Sequence, residues 1–411
     1  MSREVGIALL GVGWMGDLHT ASYRRVRDHY ADCDALPRLV VAADAVEERA
    51  RAAHERLGYE EWTTDWREAL AHPDVEAVSI TAPNFMHRDM AVAAADAGKH
   101  FWGEKPLGRF PAETAEIAAA AEAAGVCTTV GLNYRHAPAV RHAKALIESG
   151  ALGEINHFRC HFLAGYANRA EAALSWRFLR DQGGLGVLAD LGSHAVDLAQ
   201  LLLGPIVRVS ARAATFIPRR PKVTMGMGTH FSVVEGGELG DVENEDWVAA
   251  LVEFASGLHG IVEASRAIVG PECRYLFEAN GTAGAVAWNF ERMNELQVDL
   301  PQSTGDRGYA TVLMGPQHYD FGRFLPGTGI PMGYNDLKVV EAYLFLQSIA
   351  DGRQREPGVR EMLAAAEVLD AMERSSASGA WEDVRPLAPA EPTPEPLPAR
   401  RETGARTDAE S

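Results

Sequence analysis

Asp190, His194 and Asp197 follow one another at intervals of four and three residues, directly after the glycine-rich run Gly183-Gly184-Leu185-Gly186. On a helix that spacing places the three on one side of successive turns, beneath a backbone that glycine leaves open to close approach. An imidazole flanked by carboxylates can take a proton from a hydroxyl group, and a cation nearby can hold the oxygen that loses it. Leu188, Leu191, Ala195, Val196, Leu198, Leu201 and Leu202 surround them, so the stripe is expected to be buried and to be paired internally or with a ligand. A core histidine donating to Asp190 is the plain alternative, and a ligand site elsewhere in the chain would decide against it.

The elements before this stretch supply such a site. Val5 to Leu10 is an apolar run of strand length, followed by Gly11-Val12-Gly13-Trp14-Met15-Gly16 and a segment, Asp17 to Tyr30, that can be helical. Strand, G-x-G-x-x-G and helix in that order make a dinucleotide site: one glycine turns the chain, one admits the pyrophosphate, and one lets helix pack on strand. A second run, Leu39 to Ala43, ends at Asp44, whose carboxylate can take the ribose hydroxyls of NAD and would repel the 2'-phosphate of NADP. Arg49, one turn on, keeps NADP open. The spacing to Asp44 is long, and Asp28 to Pro37 reads as an extended loop. Asp44 can equally cap the helix beginning near Val46.

Strands and helices then alternate: helix 65–70, strand 77–81, helix 88–97, strand 100–103, helix 111–124 and strand 127–131. This is the pattern of a parallel doubly wound sheet, where ligands sit at the carboxyl ends of strands. The residues there are Thr81-Ala82-Pro83-Asn84 with His87, then Glu104-Lys105-Pro106, then Asn133-Tyr134-Arg135. Lys105, locked by Pro106 beside a carboxylate, can bind a hydroxyl or help deprotonate it; an exposed Lys-Glu pair is the competing reading.

After Gly150 the character changes to alternating runs at 155–163, 207–217, 247–254, 259–267, 274–279 and 285–289, with hairpin turns at Ser256-Gly257 and Asn280-Gly281. Two apolar helices, 336–350 and 360–375, are expected to pack back on the body. Segments 218–246, with Arg219, Arg220, Lys222, Met225, Met227 and His230, and 309–334 read as long loops for substrate closure or a subunit contact. We therefore expect an α/β fold in two domains: a Rossmann doubly wound parallel sheet over 1–134, and an α+β domain with a large, mostly antiparallel open sheet over 135–385. A disordered tail, 386–411, should follow.

The 39 basic and 57 acidic residues give a formal charge of -18, which disfavours nucleic acid and anionic membranes. No apolar run approaches the roughly 20 residues needed to span a bilayer, and no leader precedes Val5, so a cytoplasmic address is expected. Cys33, Cys127, Cys160 and Cys273 lack paired spacing, so we expect reduced thiols and no metal site.

Taken in this order and spacing, the glycine loop, Thr81-Ala82-Pro83-Asn84 with His87, Glu104-Lys105-Pro106 and the 183–197 stretch resemble the glucose-fructose oxidoreductase / inositol dehydrogenase (Gfo/Idh/MocA) family. The likeness runs from about Val5 to about Val384. It implies a Rossmann domain followed by a sheet domain whose open face commonly makes a dimer contact, hence a homodimer or homotetramer. The family's catalytic lysine, aspartate and histidine fall on Lys105, Asp190 and His194. Its nicotinamide and ribose contacts fall on Asn84, His87, Glu104, Asn133, Arg135, Trp176 and Arg177. Read with the residues, the resemblance implies an NAD-dependent, metal-independent dehydrogenase, expected to oxidise reversibly a secondary hydroxyl of a cyclitol, neutral sugar or anhydrosugar. His194 would be the base, Asp190 would orient its ring or bind a neighbouring hydroxyl, and Lys105 would hold the reacting oxygen. Asp197 is left a packing role. An oxidation-elimination glycosidase retaining its cofactor is the alternative, followed by a non-catalytic nucleotide-sensing regulator.

Overall fold

The computed structural model describes residues 3–223, 232–234, 236–301 and 305–388. The first half alternates β1 (Arg3–Leu10), α1 (Trp14–His29), β2 (Ala35–Ala43), α2 (Glu47–Leu57), β3 (Glu61–Thr63), α3 (Trp66–Ala71), β4 (Ala77–Ile80), α4 (Asn84–Asp96), β5 (His100–Gly103), α5 (Pro111–Ala124) and β6 (Thr128–Val130). The strands lie in the order β3-β2-β1-β4-β5-β6, with every pairing parallel. The order in which successive strands are added switches sides between β1 and β4, which opens a crevice at their carboxyl ends. Residues 35–37, expected in a loop, are strand paired to β1 from Arg3 onward. Pro37 is tolerated because β3 pairs only with residues 41–43, leaving this part of β2 at the sheet's edge.

The second half contains α6 (Pro138–Glu148), β7 (Ile155–Ala164), α7 (Arg180–Gly183), α8 (Ser193–Leu203), β8 (Ile206–Ala214), β9 (Arg219–Pro221), β10 (Leu239–Asp241), β11 (Trp247–Phe254), β12 (His259–Ser265), β13 (Cys273–Gly281), β14 (Ala285–Asn289), β15 (Glu295–Asp299), β16 (Ala310–Leu313), α9 (Phe321–Phe324), α10 (Tyr334–Asp351), α11 (Val359–Ser378) and β17 (Glu382–Asp383). Nine of these strands form one sheet, β16-β15-β14-β13-β7-β12-β11-β8-β17, antiparallel except where β12 runs parallel to β7. Phe158, Cys160 and Phe162 of β7 and Val248, Ala250 and Val252 of β11 are buried on one face, against α8 and α11. Leu251 and Ile261 stand exposed on the other.

Segment 309–334 is not one loop, since it carries β16 and α9. In segment 218–246, β9 and β10 pair as a small hairpin, while Met225, Met227 and His230 lie outside the described residues, as does the expected tail beyond 388. All four cysteines are free, Cys33, Cys127 and Cys160 being buried. Among the described residues no helix is long and apolar enough to cross a membrane.

Candidate active site

The glycine loop forms an open cradle at the β1 end of the crevice. Gly11 has φ +102°, where a side chain would be strained, and a Cβ on Gly16 would sit 2.5 Å from the Gly11 carbonyl oxygen. A Cβ on Gly13 would meet nothing within 4 Å. Gly11 and Gly16 are therefore needed by the fold, whereas Gly13 leaves room in front of the α1 N-terminus, where a pyrophosphate fits. Thr81 donates its hydroxyl to Gly11 O at 2.6 Å, and Pro83 caps α4, so both shape the cradle wall from β4. Asp44 accepts from Val12 N at 2.8 Å and from Val46 N at 2.9 Å, so its carboxylate faces back toward the loop; the N-cap of α2 is Val46, and Asp44, two residues earlier, does not cap the helix as its position suggested. Trp14 is exposed and stacks on Tyr334 at 6.2 Å, and Met15 lies beside it in the first turn of α1. These residues fit the adenosine and pyrophosphate of NAD.

Lys105 follows β5 and reaches across the crevice. Its Nζ donates to Asp190 Oδ1 and to the Asp190 carbonyl, both at 2.7 Å. Asp190 lies in a π-helical turn, Leu188–Gly192, that runs into α8; such wide turns recur at functional sites. Tyr166 donates its hydroxyl to Asp190 Oδ2, and Arg177 Nη1 stands 3.9 Å from Oδ1. Burial alone would push the Asp190 carboxyl up, but Lys105, Arg177 and the Tyr166 hydroxyl bring it well below the usual carboxylate range. His194 is buried one turn on, with Tyr134 edge-on at 4.8 Å and Phe162 at 5.9 Å. Tyr275 donates its hydroxyl to the His194 carbonyl. Burial, followed by the nearby Lys105 charge, holds the His194 imidazole well below its ordinary pKa, so at neutral pH it is uncharged and able to accept a proton. Asp190 turns its two carboxylate oxygens to Lys105 and Tyr166, and among the hydrogen bonds of the described residues none runs from it to the imidazole.

The structure separates the other expected contacts. Asn84 donates to Gly183 O at 3.1 Å, linking α4 to the glycine run that leads to Asp190. His87 places its ring nitrogens 2.8 Å from Pro106 O and 2.7 Å from Ala82 O, bracing the chain just after Lys105. Asn133 is fully buried next to Tyr134. Trp176 and Arg177 lie in a short 3-10 turn, the guanidinium 4.5 Å over the indole and turned toward Asp190. Arg135 and Glu104, expected against the cofactor, are engaged elsewhere. Arg135 makes a buried fork with Asp197, its Nε 2.8 Å and 2.9 Å from the two carboxylate oxygens, because α8 presents Asp197 to the turn after β6. Glu104 accepts from His19 at 2.9 Å and Lys338 at 2.6 Å, behind the strand end.

Sequence reasoning missed Tyr166 as a site residue, because nothing in its neighbourhood carries a motif. It also missed the ring chain Trp14, Tyr334, Tyr134, His194, which joins the cradle to the candidate base across four separate segments. Tyr334 of this chain, with Phe290 edge-on to it at 6.2 Å, borders a cleft of about 510 Å³ that also takes in Arg292, Asn294 and Met332. Two of the basic groups around Tyr166 come from distant segments: Arg266 joins Arg177 in acting on the Tyr166 hydroxyl, and Tyr166 in turn acts on Arg220.

A classical β3-β2-β1-β4-β5-β6 sheet with an open glycine cradle, facing a lysine and a neutral imidazole, defines a two-domain NAD-binding oxidoreductase. Comparison agrees: residues 5–132 match the oxidoreductase family profile described as an NAD-binding Rossmann fold, and residues 140–287 match the GFO/IDH/MocA C-terminal domain. The chain belongs to the Gfo/Idh/MocA family. It is similar to levoglucosan dehydrogenase of Pseudarthrobacter phenanthrenivorans, 38% identical over 93% of this chain and 98% of that protein. Similarity to scyllo-inositol 2-dehydrogenase (NAD(+)) of Bacillus subtilis is 30% over 70% of this chain and 74% of that one. A solved levoglucosan dehydrogenase in complex with NADH and levoglucosan superimposes with a TM-score of 0.87 at 35% identity, covering 93% of this chain and all of the other.

Proposed function

We propose that this chain oxidises a secondary hydroxyl of a neutral sugar, anhydrosugar or cyclitol to the ketone, with anhydrosugars of the levoglucosan type first among candidates. The observation that carries the reading is the convergence of Lys105, Asp190 and the neutral His194 on the crevice in front of the glycine cradle. The full-length similarity to a levoglucosan dehydrogenase supports the substrate class.

In this reading Gly11 to Gly16 and Asp44 hold NAD, with Thr81, Pro83 and Asn84 lining the way to the catalytic groups. Bound there, NAD would supply the hydride acceptor for the carbinol carbon. Lys105 donates to the reacting oxygen, and its charge offsets the negative charge that grows there. His194 takes the hydroxyl proton and passes it to solvent, so the alcohol yields a ketone, a reduced cofactor and a proton. Asp190 fixes Lys105 from two oxygens, Tyr166 fixes the Asp190 carboxylate, and Arg177 presents donors to a neighbouring substrate oxygen. Adding inositol stereoisomers, glucose, xylose, levoglucosan and glucosides with NAD or NADP, and following absorbance at the NADH band, tests the reading. NADH release in step with ketone supports it; product without net NADH would instead favour the retained-cofactor elimination.

We further propose that a second copy covers the sheet face carrying Leu251 and Ile261, giving a homodimer or a homotetramer, and that the protein works in the cytoplasm, where NAD is supplied. Light scattering would contradict the first by giving a monomer mass at micromolar concentration, and cell fractionation checks the second.

A further inference from the structure

A second charged cluster lies behind Lys105 and takes no part in the mechanism above. Lys338 on α10 is fully buried, and its Nζ donates to Glu104 Oε1 at 2.6 Å and stands 2.9 Å from Glu341 Oε2. His19 of α1 stacks flat on Trp102 at 3.5 Å and brings Nε2 within 2.9 Å of the same Glu104 oxygen. Burial holds His19 down to about 4, so this ring is neutral and donates through Nε2–H. Glu104 thus accepts from two elements that are remote in sequence. The position is built for a carboxylate: a Cβ on Gly131, at the end of the neighbouring strand β6, would lie 2.5 Å from Glu104 Oε2.

The same helix also touches the cofactor side. Tyr334, Lys338 and Glu341 recur at helical spacing, Tyr334 stacks on Trp14, and Asp336 pairs with Arg25 of α1 at 2.7 Å. Helix α10 therefore meets the glycine loop, α1 and the residue immediately before Lys105. A buried ion pair adds little net stability compared with apolar packing, since desolvation offsets much of the attraction. What this pair does instead is fix a backbone position. Glu104 and Lys105 are consecutive, so holding the Glu104 side chain on one side of the strand end sets where Lys105 leaves on the other.

We propose that Lys338 is a positioning residue for the reaction: acting through Glu104, it sets Lys105 opposite Asp190. The role rests on the dehydrogenase reading above, but its geometric consequence is independent of turnover.

The test uses full-length Lys338→Met, Lys338→Arg and Glu104→Gln beside the parent chain. Thermal unfolding and NADH affinity are measured first, then kcat and KM on whichever sugar the parent turns over, and crystal structures without cofactor give the Lys105 Nζ to Asp190 Oδ1 separation. Lys338→Met is expected to lower kcat by about tenfold or more, to change KM for NAD less than about threefold, and to carry Lys105 out of hydrogen-bonding distance. Lys338→Arg, which keeps the charge and a donor, should recover most of kcat. A folded Lys338→Met with Lys105 in place and kcat within twofold overturns the proposal, as does lower thermal stability with unchanged kcat. If Lys338→Met does not fold, Glu104→Gln carries the same readouts with the same two outcomes. A parent chain that turns over no sugar would refute the dehydrogenase reading alone, and the Lys105 separation would still decide the role of Lys338.

Discussion

Lys105 Nζ is held at 2.7 Å by two oxygens of one residue, Asp190 Oδ1 and the Asp190 carbonyl, so the cation is fixed by backbone and side chain together. Asp190→Asn should keep the backbone contact while removing the charge. We expect kcat to fall about 10²-fold with little change in NAD affinity, and Lys105→Ala to lose turnover while still binding NADH. NADH fluorescence titration beside steady-state rates measures both; weakened NADH binding in Lys105→Ala would place the lysine in cofactor binding.

The glycine loop offers a cleaner separation of folding from binding. Gly13→Ala points its methyl into open space, so thermal stability should stay within a degree or two of the parent while NAD affinity falls by about tenfold. Gly16→Ala would set Cβ 2.5 Å from Gly11 O and should lower both. Equal NAD affinity in Gly13→Ala and the parent would remove the pyrophosphate from this cradle.

His194 is neutral because burial and Lys105 disfavour its charged form. A base must be unprotonated to act, and its folded pKa lies well below 6.5. Log kcat/KM for oxidation should therefore stay level as pH falls through 6.5 and drop only further into acid. His194→Ala should cost about 10²-fold or more in kcat. A limb centred at or above 6.5 would assign the proton to another group.

Arg135 and Asp197 form the buried fork that diverts Arg135 from the cofactor. Arg135→Met leaves Asp197 buried without its cation, which should cost about 3–5 kcal/mol in urea unfolding. NADH affinity of the folded protein should change less than twofold. Normal stability with weakened NADH binding would return Arg135 to the cofactor site.

Glu341 is raised to about 8, first by burial, with Glu104 and Asp197 adding to the effect and Lys338 opposing it. A carboxyl whose folded pKa exceeds its unfolded value binds more protons when folded. Its contribution is complete below pH 4.5 and is lost as pH rises from there through 8. The stability of Glu341→Gln relative to the parent should therefore improve from pH 5 to pH 8. A difference that stays constant across this range would show that Glu341 does not titrate there.

Much of the architecture was legible because it is written in local periodicity. Apolar runs of strand length, the glycine loop and Asp44 identify the first sheet, since each depends on neighbours within a few residues. Lys105, Asp190 and His194 were legible for the same reason: a strand end and a helical repeat place them without reference to the rest of the chain. The short strands β9, β10, β15, β16 and β17 were not, because they exist through the partner they pair with rather than through a pattern of their own. The same holds for side-chain partners. Spacing brought Arg135 and Glu104 to the crevice edge, but only the folded chain set Asp197, 62 residues away, and Lys338, 234 residues away, where they capture those charges. A charged group entering a core must find its counter-charge there, and which one it meets is decided by how distant elements pack.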